Sequence, residues 1–102
     1  MAGDLSVKQL VAIKRELRKR CAYCGQQCTG VLEHYVPVYL GGGTTASNVL
    51  LSCRSCNARK GYKHPDAYLA GIENGAIIKE KIRELIITIC DEFSRPIPEW
   101  AQ

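Results

Sequence analysis

The sequence predicts a small α+β protein. Three observations carry that expectation: a helical N-terminal segment, two short strand-like runs joined by a glycine loop and bracketed by C-x-x-C pairs, and an apolar stripe at helical period in the last third. With 102 residues the chain is long enough for one modest core. It is therefore read as a single domain over 1–102, with a helix at 6–19, a central unit at 20–65 and a helical extension at 66–102.

The first helix opens at Ser6, and Gln9 three residues on completes a capping box. Val7, Leu10, Val11 and Leu17 fall near one face, while Arg18-Lys19-Arg20 suits the negative end of the helix dipole. In Cys21-Ala22-Tyr23-Cys24-Gly25 the glycine supplies the positive φ of a knuckle turn. Val31 to Val36 is β-branched and aromatic and is closed by Pro37, which marks a strand. Gly41-Gly42-Gly43-Thr44-Thr45 is a loop by composition, and Val49-Leu50-Leu51-Ser52 is a second strand. A second knuckle, Cys53-Arg54-Ser55-Cys56, leads into a short helix near Asn57–Gly61. Asp66 and Gly71 delimit a further short helix. Asn74 then caps a longer one, in which Ile78, Ile82, Leu85, Ile86, Ile89 and Phe93 recur every 3.6 residues. Pro96 and Pro98 end it.

Composition narrows the function classes. Apolar residues make up 46% and charged residues 24%, the balance of an ordinary globular protein. No apolar run approaches the roughly 20 residues that cross a bilayer, and the first residues lack the basic, apolar pattern of an export signal. No membrane partner and a cytoplasmic location are the resulting expectations. The net charge of +4 is clustered: Lys14, Arg15, Arg18, Lys19 and Arg20 precede one cysteine pair, and Arg54, Arg59, Lys60 and Lys63 surround the other. Both clusters suit a polyanionic partner, and the second supplies candidate phosphate contacts.

Six cysteines in a chain without an export signal read as reduced thiols. Cys21, Cys24, Cys53 and Cys56 have the spacing by which two knuckles deliver four thiolates to one tetrahedral Zn²⁺. Four thiolates leave no open position, so this zinc is structural. Cys28 is a poorer ligand choice than the paired knuckle, and Cys90 reads as a small core residue. A thiol redox role would use one C-x-x-C beside a βαβ pattern, and neither that pattern nor the second pair fits it.

Between the knuckles stand Glu33-His34, Asn48 and, just after the last cysteine, Asn57. Adjacent strand residues face opposite sides, so a bend at the strand end is needed to bring Glu33 and His34 to one site. Cys-Ala-Tyr-Cys-Gly, Leu-Glu-His-Tyr-Val-Pro, Gly-Gly-Gly-Thr-Thr and Ser-Asn-Val-Leu-Leu-Ser-Cys-Arg-Ser-Cys-Asn-Ala-Arg-Lys-Gly, in that order, resemble the HNH endonuclease family over about residues 20–65. The resemblance implies a ββα-metal (His-Me finger) core whose first strand carries the base. It makes His34 the general base, gives Glu33 and Asn57 to a divalent ion, and has Asn48 hold the loop and His34 by backbone hydrogen bonds. Glu33 stands where the family usually has Asp, and Asn57 where it has His.

The residue chemistry agrees with that reading. A neutral imidazole takes a proton from water at cellular pH, and carboxylate and amide oxygens suit Mg²⁺ or Mn²⁺, with Ni²⁺ as a third choice. The expected reaction is hydrolysis of DNA phosphodiester bonds to 5′-phosphate and 3′-hydroxyl ends. His64 is a weak candidate, since capping the turn before Pro65 explains it equally. The competing reading is a non-catalytic zinc-knuckle module that binds nucleic acid, for which Glu33, His34 and Asn57 are not needed. The C-terminal stripe is core, or an interface for a homodimer or a protein partner.

Overall fold

The computed structural model describes residues 5–102. The reading of the extreme N-terminus as free of an export signal falls partly on residues 1–4 and lies outside them.

Helix α1 spans Val7–Leu17 and is capped by Ser6, with both bonds of the capping box formed: Gln9 N–H donates to Ser6 Oγ, and Ser6 N–H donates to Gln9 Oε1. The buried face of α1 matches the expected one in part: Leu10 and Leu17 pack against the core. Gln9, Ala12 and Ile13 are buried, whereas Val7 and Val11 are exposed. The cap explains the buried Gln9, because its amide oxygen is already satisfied and its enclosure costs little.

Strands β1 (Val31–His34) and β2 (Val49–Ser52) form an antiparallel pair with Leu32 opposite Leu51, Glu33 opposite Leu50 and His34 opposite Val49. β1 stops two residues short of the expected Val36. The Asn48 side chain takes both backbone groups of Val36, accepting from its N–H at 2.8 Å and donating to its carbonyl at 3.0 Å, so the ladder cannot continue. A 3₁₀ turn at Val38–Leu40 leads into the glycine loop. Gly42 is obligatory there, since a Cβ would sit 1.7 Å from the Val36 carbonyl oxygen.

Helix α2 (Arg54–Lys60) begins at Cys53 and packs on β1, completing a ββα unit. Helix α3 (Pro65–Ala70) is capped by His64 instead of Asp66: the His64 Nδ1 accepts from the Asp66 N–H at 3.1 Å, and Pro65 fills the first helical position. Helix α4 (Gly75–Glu92) follows Asn74, which holds a left-handed φ of 61° without a side-chain cap bond. Its stripe is spent inside the chain. Ile82, Leu85, Ile86 and Ile89 are buried as α4 packs on α1, α3 and the C-terminal 3₁₀ turn at Glu99–Ala101. Trp100 in that turn lies 4.5 Å from the Tyr35 ring, and Cys90 is a core residue. No helix among the described residues is long and apolar enough to cross a membrane.

Candidate metal centre and active site

The four knuckle sulfurs converge. The Sγ atoms of Cys21, Cys24, Cys53 and Cys56 all lie within 4.8 Å of one another, and Cys24 Sγ stands 3.8 Å from Cys53 Sγ. At a Zn–S distance of ~2.3 Å, the edge of a tetrahedron is about 3.8 Å, which the Cys24–Cys53 pair matches, so the cage is of a size to close on zinc. Backbone N–H groups of Tyr23, Cys24, Gln26 and Cys56 point at the sulfurs at 3.3–3.5 Å, as thiolates require. The Cys56 N–H pulls the Cys53 thiol down to about 7, whereas burial raises Cys56. Crowded thiolates repel, and a divalent cation lets all four ionise together. Cys28 stays outside the cage and lines a separate cavity beside the C-terminal end of α1.

Because Cys53 caps α2 while Cys21 and Cys24 sit before β1, the cage pins the helix against the strand. That positions the second centre. Glu33, His34 and Asn57 line one cavity of about 650 Å³, whose remaining walls include Leu32, Pro37 and Tyr62. The chain bends at Tyr35–Val36, directly after β1.

His34 is half-buried, and its Nε2 lies 2.9 Å from Thr44 Oγ1 in the glycine loop. In the tautomer whose Nε2–H donates to Thr44 Oγ1, Nδ1 carries the lone pair that can take a proton. Asn48 ties the same loop to the end of β1: besides Val36, its Nδ2 donates to the Gly43 carbonyl at 3.0 Å, and its own carbonyl accepts from Tyr35 N–H at 2.9 Å. The imidazole and its Thr44 partner are thus held by one buried amide.

Glu33 is buried and strongly partnered. Its Oε2 accepts from the Tyr23 phenol at 2.6 Å and from Lys60 Nζ at 2.9 Å, leaving Oε1 without a partner among the described residues. Burial, with the Glu33 charge beside it, pushes the Tyr23 phenol up, so it stays a neutral donor. Lys60 is fully enclosed and also donates to the His34 carbonyl at 3.1 Å.

The expectation that Lys60 meets phosphate is thereby corrected. It lies four residues after Cys56, on the helix face that turns to the sheet, and its charge is spent on Glu33. Arg54, Arg59 and Lys63 are exposed on α2 and just beyond it, and none forms an ion pair with an acidic group among the described residues. Tyr23, Thr44 and the inward role of Lys60 escaped the sequence reading. Only the Cys56-to-Lys60 helical spacing offered a signal.

The donor set fits a hard cation in part. The free Glu33 oxygen and the Asn57 amide border the same cavity, and both are suitable oxygen ligands. The Lys60 ammonium already neutralises the carboxylate, so a cation there shares Glu33 with it or displaces it.

Comparison with known families matches residues 21–70 to the HNH endonuclease model, from the first knuckle through α3. Comparisons with curated proteins and with solved structures give no match. The matched span contains the sulfur cage, the ββα unit and the cavity at His34. Residues 21–70, just under half of the chain, are thus similar to the HNH endonuclease family.

Proposed function

We propose that the protein is a metal-dependent nuclease that hydrolyses phosphodiester bonds in DNA, with His34 as general base. The observation that carries this reading is the His34 imidazole at the wall of a cavity shared with Glu33 and Asn57, fixed through Nε2 to Thr44. A base so anchored takes a proton at Nδ1 from water aligned on the scissile phosphorus, as the bond to the 3′ oxygen breaks. Glu33 and Asn57 would hold a hard divalent ion, Mg²⁺ or Mn²⁺ with Ni²⁺ as a third choice, which when bound supplies positive charge to the phosphate and the leaving oxygen. Asn48 keeps the loop, and with it the imidazole, in register. Arg54, Arg59 and Lys63 meet flanking phosphates. Zinc in the four-cysteine cage is structural.

One observation favours the second reading, a zinc module that binds nucleic acid without cutting it: the Lys60–Glu33 pair neutralises the carboxylate. Supercoiled plasmid incubated with the purified chain and Mg²⁺ or Mn²⁺, beside EDTA and His34→Ala controls, separates the two. Metal-dependent nicking that is lost in His34→Ala is the expected result. Retention of plasmid without nicking under each metal overturns the nuclease reading.

A further inference from the structure

The rim of the His34 cavity carries more apolar surface than phosphate chemistry calls for. Tyr62 is 82% exposed and Tyr39 65%. Of the eight large apolar side chains left exposed among the described residues, five (Leu32, Val38, Tyr39, Leu40 and Tyr62) belong to the segments that frame this cavity. Scattered single residues of that kind need no explanation, but a cluster around one opening does.

The two tyrosines are placed by the elements that carry the chemistry. Tyr39 lies in the 3₁₀ turn five residues beyond His34, and Tyr62 follows Gly61 at the end of the helix that bears Asn57. The Tyr39 hydroxyl donates to the Tyr62 carbonyl, and the rings stand 6.3 Å apart at 80°. That bond ties the two segments together while the exposed Tyr62 ring keeps a face open. Arg59 and Lys63, exposed and without a carboxylate partner among the described residues, stand three residues before and one after Tyr62 in the chain; Arg59 donates to Cys56 Sγ and Lys63 to the Arg59 carbonyl.

A tyrosine stacks on a nucleobase only when that base has an uncovered face. In an intact duplex both faces are taken by neighbouring pairs, whereas a single strand or an opened duplex presents them. We infer that this site takes DNA whose nucleotide beside the scissile phosphate is unpaired, its base stacked on the Tyr39–Tyr62 rim. The cations beside the rim favour a polyanion over an apolar protein segment as the occupant. The inference rests on the nuclease reading and names the substrate form for the same site.

Stacking is measurable without cleavage. In a His34→Ala background, fluorescence anisotropy compares one sequence as single strand, as bubble-containing duplex and as full duplex, with 2-aminopurine in the unpaired segment. Tighter binding of the single strand and the bubble is expected, with quenching of the 2-aminopurine. Tyr62→Ala and Tyr39→Ala should each weaken binding of unpaired DNA by roughly 5- to 100-fold, leave duplex binding unchanged, and abolish the quenching. Tyr62→Trp should retain both. Thermal melts matching the parent verify folding, which the exposure of Tyr62 favours. Equal losses on duplex and single strand, no loss on either, or a Tyr62→Trp as poor as Tyr62→Ala overturns the inference. Failure of the nuclease reading shows separately, as no metal-dependent cleavage of either the supercoiled plasmid or the bubble-containing duplex by the unsubstituted chain.

Discussion

Replacing Lys60 by methionine keeps most of the side-chain volume and removes the ammonium that faces Glu33. The carboxylate is then left in a buried setting with the Tyr23 phenol as its one remaining donor. Breaking a buried ion pair by removing one partner costs about 3–5 kcal/mol, and the surviving phenol bond places this case near the lower end, ~3 kcal/mol. Domains of this size are stable by roughly 5–15 kcal/mol, so the loss is a large fraction of the total. At about 4–8 °C per kcal/mol, the melting temperature should fall by roughly 12–24 °C. Urea titration followed by circular dichroism, at fixed zinc, measures the loss. The double variant Glu33→Leu/Lys60→Met removes both charges and should recover ~2 kcal/mol of it. Mg²⁺ should also stabilise Lys60→Met more than the unsubstituted chain, because the vacated carboxylate becomes available to a cation. If Lys60→Met costs less than about 0.5 kcal/mol, as at an exposed position, or the double variant is no more stable than the single, the buried pair does not hold the site as argued.

Zinc removal should unfold the chain: the cage contributes on the order of 10 kcal/mol, comparable with the whole stability, so a strong chelator or Cys53→Ser should abolish the helical dichroism while His34→Ala keeps it. Equal melts for Cys53→Ser and His34→Ala would count against the cage. Thr44→Val removes the hydroxyl partner of His34 Nε2 at nearly constant volume, so kcat for nicking of supercoiled plasmid should fall ~10- to 100-fold with little change in melting temperature. The exposed Lys79–Asp66 pair holds the Asp66 carboxyl below its usual range through the Lys79 hydrogen bond. A depressed carboxyl stabilises the fold above the unfolded pKa and loses that contribution as pH falls through the folded value. Asp66→Asn should therefore cost under ~1 kcal/mol at neutral pH and nothing at strongly acid pH, as paired urea titrations would show.

The sequence by itself determined whatever depends on spacing along the chain. Two C-x-x-C pairs separated by a strand–loop–strand text imply the sulfur cage, and the cage closes. The capping box at Ser6, the β2 run and the α4 stripe needed only short-range chemistry and periodicity, and they stand where the local pattern put them. Position along the chain also singled out Glu33, His34 and Asn57, which the fold gathers at one cavity. What each of those residues touches was decided by tertiary structure. Lys60 is indistinguishable in composition from Lys63, yet one points inward to a carboxylate and the other outward, because α2 is anchored at Cys53 and Cys56 and rotated by the cage. The buried face of α1 and the stopping point of β1 were settled by partners distant in sequence, α4 in one case and the Asn48 amide in the other. Local propensity sets which elements form; which face is covered, and which charge is cancelled, follows only when the surfaces that cover them arrive.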